Sequence, residues 1–196
     1  MGNRLSKIVT RGGDGGQTSL GDGQRVGKSD VCVNFLGDVD ELNSWIGVVV
    51  SNAPGASVRS VLEGVQHDLF DLGGALCFPG TTVLSERHVA RLDTAIDEHN
   101  ADLPPLKEFV LPGGAPIVAW LHVARTVCRR VERGGVDYVA TAEGVGDKCK
   151  HALMYLNRLS DFLFVAARVE ASRLDVPQPL WEKEKSIGTA SDEEGG

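Results

Sequence analysis

Four polar residues recur at helical spacing in one stretch of this chain: His122, Arg125, Arg129 and Glu132. At about 100° per residue they form one narrow stripe of a helix, directly beside an apolar arc of Val118, Leu121, Ala124, Cys128 and Val131. The charges of a solvated face would lie opposite such an arc. Guanidinium groups at a core margin need a carboxylate or a phosphate to offset their desolvation, so the stripe predicts an anion site. About one helix later, Asn157 and Asp161 stand at i, i+4 in an otherwise apolar segment, where they serve either a ligand or neighbouring helices.

A second candidate lies near the N-terminus. Thr10 and Arg11 precede Gly12-Gly13-Asp14-Gly15-Gly16-Gln17-Thr18-Ser19, and glycines let backbone N–H groups approach an anion while Thr18 and Ser19 add hydroxyl donors. Lys28 is near enough to serve the same anion. The segment lacks the G-K-[ST] ending of a P-loop, a preceding apolar strand and an immediate helix, so a kinase or ATPase built on such a loop is disfavoured. The alternative on these residues alone is a mobile glycine-rich arm. Asp40, with Glu41 engaged in a capping box, is free for a cross-helix partner; Arg125 or Arg129 is the natural candidate, against the alternative of three independent surface charges.

The elements that must position these groups are helical. Residues 8–29 read as a loop or an irregular hairpin. Asp38 with Glu41 reads as a capping box opening a first helix, with Leu42, Trp45, Ile46 and Val49 on one face, and Ser57 as the cap of a second that runs to Gly73-Gly74. Ser85 opens a third through Val89, Leu92 and Ile96, and Pro116 a fourth that passes Glu132 and stops at Gly134-Gly135. A flexible stretch with Gly144 and Gly146 leads to a fifth helix, about Lys150 to Arg173, apolar almost all round except for a strip of Asn157, Asp161 and Arg168; such a helix is buried in a bundle. Strand signals are nearly absent. The expected fold is all-α, a bundle of four or five helices behind a glycine-rich loop, forming one domain over residues 1–181 with a disordered acidic tail at 182–196.

Composition narrows the function. The 196 residues carry a net charge of −7, which argues against a nucleic-acid partner. Cys32, Cys77, Cys128 and Cys149 are scattered without a C-x-x-C, and the five histidines form no H-x-x-x-H pair, so neither a structural zinc nor a histidine-held catalytic metal is expected. Asp97-Glu98-His99 approaches the D-x-H-x-x-G pattern that supplies an axial histidine to some corrinoids, but Asp102 stands where glycine is required, leaving a surface helix end. No apolar run is long enough to span a membrane, and the polar start fits neither a secretory signal nor a transit peptide. Gly2 with Ser6 matches a bare myristoylation template, read as an accidental match. Reduced thiols then suit the cytosol, or a mitochondrial matrix if the source is eukaryotic.

Four segments agree in order with one family. Thr10 to Leu20, Gly37-Asp38-Val39-Asp40-Glu41-Leu42-Asn43-Ser44, Phe109-Val110-Leu111-Pro112-Gly113-Gly114, and the arginine helix followed by Tyr155-Leu156-Asn157-Arg158-Leu159-Ser160-Asp161 together resemble the propanediol-utilisation-type ATP:cob(I)alamin adenosyltransferases. The resemblance spans roughly residues 7–174 and implies a homotrimer of ferritin-like, up-and-down five-helix bundles with ATP at the subunit interface. It implies that Thr10, Arg11, Gly13, Asp14, Gly16, Thr18, Ser19 and Lys28 belong to the nucleotide loop, with Arg129, Glu132 and Asn157 also on ATP. Arg125 would pair with Asp40 across subunits, and Phe109 would stand beneath the corrin ring; Asp40, Arg125, Arg129 and Phe109 are the implied catalytic set. Gly12 replaces a usual Thr and Gly15 a usual polar residue, which loosens the loop entropically.

The implied reaction transfers the 5′-deoxyadenosyl group of ATP to cob(I)alamin, with Mg²⁺ assisting and triphosphate released. The enzyme must hold nucleophile and ribose carbon in line and stabilise charge on the leaving group. A reductase would supply the electron and a cobalamin-dependent enzyme would accept the product. The rival from another class is a non-catalytic carrier that binds corrinoid or nucleotide and delivers it to a partner enzyme.

Overall fold

The computed structural model describes residue 9, residues 11–78 and residues 84–187. Five helices carry the fold: α1 (Val31–Ser51), α2 (Ala56–Cys77), α3 (Glu86–Asn100), α4 (Pro116–Thr141) and α5 (Gly146–Arg173). The α4 helix packs against α5 and α1, α2 packs on α1, and α3 packs on α5. Their shared interior is continuous, with Phe35, Leu42, Ile46, Leu62, Leu72, Leu121, Tyr155, Leu156 and Phe162 essentially without solvent contact.

Several helix boundaries depart from expectation, each for a packing reason. The α1 helix starts not at Asp38 but two turns earlier, where the Asp30 carboxylate accepts the Cys32 N–H at 2.8 Å. Cys32, Phe35 and Val39 extend the apolar face that Leu42, Ile46 and Val49 continue, so burial favours the longer helix. The α2 helix follows Gly55, which gives no side-chain cap, leaving Ser57 inside the first turn, and runs through Gly73-Gly74 because Leu76 is still buried. Ser85 caps α3 as expected, with His88 taking the reciprocal role in the capping box.

Gly134-Gly135 likewise does not end α4. A Cβ on Gly135 would lie 2.8 Å from Leu153 and 2.9 Å from Phe35, so this glycine admits α1 and α5 to close approach inside a continuing helix. The chain turns instead at Gly144, whose φ is +72°, and α5 follows from Gly146. Along α5 the expected polar strip divides: Asp161 is exposed, Asn157 is half-buried, and Arg168, only 6% exposed, donates to the Pro104 carbonyl.

Two short segments flank the bundle. Strands β1 (Gln17–Ser19) and β2 (Arg25–Gly27) form an antiparallel hairpin with Thr18 opposite Val26, tied to the end of α2 by the Gly21 N–H on the Cys77 carbonyl at 2.8 Å. Beyond α5 the chain returns to the loop before α4. Leu111 N–H donates to the Pro179 carbonyl and Trp181 N–H to the Phe109 carbonyl, both at 2.8 Å, around a bridge between Val110 and Leu180. Of the expected tail, residues 183–187 form turns and 188–196 lie outside the described residues. Among the described residues no helix is long and apolar enough to cross a membrane.

Candidate active site

The α4 stripe exists, with a gradient of burial along it. His122 is buried, Arg125 and Glu132 are half-buried and Arg129 is exposed. Burial, then the neighbouring Arg125 charge, hold the His122 imidazole neutral, its pKa lowered to about 4. Its Nδ1 therefore accepts, and Arg125 Nε donates to it at 3.4 Å. Arg125 is itself disfavoured as a cation, first by burial and then by Arg129 one turn on, the electrostatic condition of a site that welcomes an anion. Further along, Asn157 Nδ2 donates to the Glu132 carboxylate at 3.0 Å, joining α5 to the stripe. Asp161 belongs elsewhere: it faces Arg158, which also holds Asp93 of α3 at 2.6 Å.

At the Arg125 end the stripe opens into a cleft of about 510 Å³ lined by Leu106, Lys107, Glu108, Phe109, Val110, Arg125 and Phe164. Phe109 is 76% exposed. An apolar plug would be covered; this ring is held out into solvent while its backbone is fixed by Trp181 from the returning chain. Phe164 is the site residue that the sequence did not disclose. On an α5 that is apolar nearly all round, an aromatic facing a cleft reads no differently from one facing the core.

Asp40 stands in the interior of α1, not in its first turn, and is exposed. Neither Arg125 nor Arg129 of the same chain makes an ion pair with it among the described residues. Instead Arg130 takes Asp38, at 3.8 Å, and Glu41. Asp40 borders an apolar groove of about 500 Å³ between α1 and α2, with Leu36, Phe70 and Gly73 among its walls, and Phe70 is 71% exposed. The carboxylate thus stands in solvent beside uncovered aromatic surface.

The glycine-rich segment is folded into a compact turn. Gly16 N–H donates to the Gly13 carbonyl at 3.2 Å and Lys28 N–H to the Gly16 carbonyl at 2.9 Å, which returns Lys28 to the loop. Its ammonium lies so close over Gly13 that a Cβ there would sit 3.1 Å from Nζ. Arg11 and Gly16 adopt positive φ, +58° and +78°, which tightens the turn. Arg25 adds a contact that the sequence did not suggest, donating to the Gly12 carbonyl at 2.8 Å and to Ser19 Oγ at 3.4 Å across the hairpin. Asp14 is exposed and Thr18 half-buried, while Thr10 lies outside the described residues. Cations thus stand at both places, Arg11, Arg25 and Lys28 at the loop and Arg125 and Arg129 on the stripe.

The bundle is that of a known class of transferase. A variant PduO-type ATP:corrinoid adenosyltransferase from Lactobacillus reuteri, solved with cobalamin and ATP, superposes with a TM-score of 0.81 at 35% identity, covering 90% of this chain and 99% of that one. The chain belongs to the cobalamin adenosyltransferase family, whose sequence pattern matches residues 8–170. A cobalamin adenosyltransferase of Cupriavidus metallidurans is 50% identical over 186 residues, 94% of this chain and 99% of the relative. A corrinoid adenosyltransferase of Mycobacterium leprae is 41% identical over 92% of this chain and 98% of its own.

Proposed function

We propose that this protein transfers the 5′-deoxyadenosyl group of ATP to cob(I)alamin, forming adenosylcobalamin and releasing triphosphate. The observation that carries the reading is the junction at Arg125, where a cleft walled by the uncovered Phe109 and by Phe164 meets the two cations of the stripe, Arg125 and Arg129. A flat macrocycle needs the first surface and a polyphosphate the second. In the step itself the Co(I) electron pair forms the bond to C5′ as the C5′–O bond breaks, and triphosphate leaves with the electrons of the C5′–O bond. No proton is abstracted, so alignment and charge stabilisation carry the catalysis.

Each side chain has a part in this reading. Lys28, Arg11, Thr18, Ser19 and the amides around Gly13, Asp14 and Gly16 receive the triphosphate, as Thr10 would; Arg129, Glu132 and Asn157 complete the nucleotide site. Phe109, supported by Trp181, meets the corrin face and keeps the lower ligand off cobalt. Asp40 and Arg125 make no ion pair within the chain among the described residues, which supports a homotrimer in which Asp40 of one subunit meets Arg125 of the next. Mg²⁺ would assist by neutralising charge on the triphosphate, with the hydroxyls of Thr18 and Ser19 available to it. Four free cysteines suit a cytosolic setting, where a reductase would deliver the electron and a cobalamin-dependent enzyme would take the product.

The test is anaerobic mixing of the protein with ATP, Mg²⁺ and chemically reduced cobalamin. Decay of the Co(I) spectrum into that of adenosylcobalamin, with intact triphosphate as the nucleotide product, is expected. Tight binding of both ligands without turnover would replace the reading with that of a carrier, and ADP or phosphate as product would overturn it.

A further inference from the structure

We propose that His122 is a positioning residue that aims the Arg125 guanidinium into the corrin cleft and toward the neighbouring subunit; this rests on the adenosyltransferase reading above. His122 is 3% exposed and belongs to α4, one turn before Arg125. Its Nδ1 receives the Arg125 Nε–H at 3.4 Å, and its ring lies 6.1 Å from that of Phe164, which faces the same cleft from α5. The imidazole is therefore wedged between the two residues that line one wall of the cleft.

The chemistry of the contact explains why an imidazole stands there. Arginine has five N–H donors, and engaging Nε leaves the paired terminal nitrogens, a fork that matches a carboxylate, unspent by His122. A carboxylate in place of His122 would satisfy Arg125 and quench it as a partner for Asp40. A neutral acceptor orients the cation and leaves its charge unspent. Arg125 is the charge that bears on His122, and with burial it keeps the ring unprotonated throughout the physiological range, so the anchor is constitutive rather than a switch. Nδ1 can accept only in the tautomer that carries its proton on Nε2, so the geometry assigns that tautomer.

Two experiments on the full-length protein decide the matter. Nitrogen-15 NMR of the imidazole and arginine side chains, which needs no turnover, should show an unprotonated His122 Nδ1 from neutral pH down to about pH 4 and a protected Arg125 Nε–H that is lost in His122→Leu. In steady-state assays, His122→Leu should lower turnover roughly ten- to a hundredfold while leaving ATP affinity unchanged. His122→Asn, whose side-chain oxygen can occupy the Nδ1 position, should recover most of that loss and serves as the folded comparison with His122→Gln should the leucine variant not fold. In an Arg125→Ala background, His122→Leu should cost nothing further. A protonated Nδ1, equal activity of the asparagine and glutamine variants, or an undiminished loss in the Arg125→Ala background would each overturn the proposal. Failure of the wild-type protein to make adenosylcobalamin would remove the functional reading while the NMR result still stood or fell by itself.

Discussion

Arg130 of α4 binds Glu41 and lies 3.8 Å from Asp38 on α1, so one guanidinium occupies both acids that flank Asp40. Asp40 is left without an ion pair inside its own chain among the described residues, and Arg125 and Arg129 are left in the same condition on α4. These exposed pairs add little to stability individually. Their consequence is selective: they occupy Asp38 and Glu41 and leave the exposed Asp40 carboxylate and the half-buried Arg125 without a charged partner inside the chain, among the described residues.

If Asp40 and Arg125 meet between subunits, Asp40→Asn and Arg125→Ala should each cost about 3–5 kcal/mol in transition-state stabilisation, and the double variant much less than the sum. Mixed trimers provide the sharper measurement. Unfolded together and reassembled, the two single variants form some interfaces in which both wild-type residues face each other, so turnover should reappear on mixing. Inactive mixtures that are demonstrably mixed trimers would exclude a cross-subunit pair.

Phe109→Ala should leave the unfolding free energy within about 0.5 kcal/mol of wild type, because a ring that is 76% exposed supports no core. A buried plug would lose about 3–5 kcal/mol. Adenosylation should slow most when a weak reductant must generate Co(I), and pre-reduced cob(I)alamin should bypass much of the defect. Electron paramagnetic resonance checks the cause: the four-coordinate Co(II) signal should shrink in the variant.

The two adjacent glycines of α4 should respond oppositely to alanine. At Gly135 a methyl group would meet Leu153 and Phe35 under 3.0 Å, and overpacking should cost about 1–3 kcal/mol. At Gly134 the nearest atom is Asp38 Oδ2 at 3.4 Å, an ordinary contact, so the gain in helix propensity should stabilise by up to about 1 kcal/mol. Denaturant titration of both variants gives the signs.

His122 makes a definite contribution to acid sensitivity. Its folded pKa, about 4, lies below the ordinary 6.5, so between these values the unfolded chain binds a proton that the folded chain refuses. Stability from this group is present above pH 6.5 and declines as pH falls toward 4. The melting temperature of wild type should therefore drop more steeply across that window than that of His122→Asn, and parallel curves would show that the imidazole is not held neutral.

The sequence by itself was enough for the bundle, the order of its five helices and the arginine row, because helical periodicity and ordered motifs are local properties that survive without coordinates. It was enough too for the return of Lys28 to the glycine-rich loop. Helix ends were less legible: Asp38-Glu41 imitates a cap and Gly134-Gly135 a stop, and only the fit of Phe35 and Leu153 against Gly135 shows that burial outweighs those local signals. The tertiary structure alone decided that Arg130, and not Arg125 or Arg129, closes on α1, that Phe164 joins Phe109 in one cleft, and that His122 turns inward behind Arg125. Neighbouring arginines on a helix differ by one step of rotation, and which of them meets an acid depends on how the helices cross, a quantity that no single stretch of sequence contains.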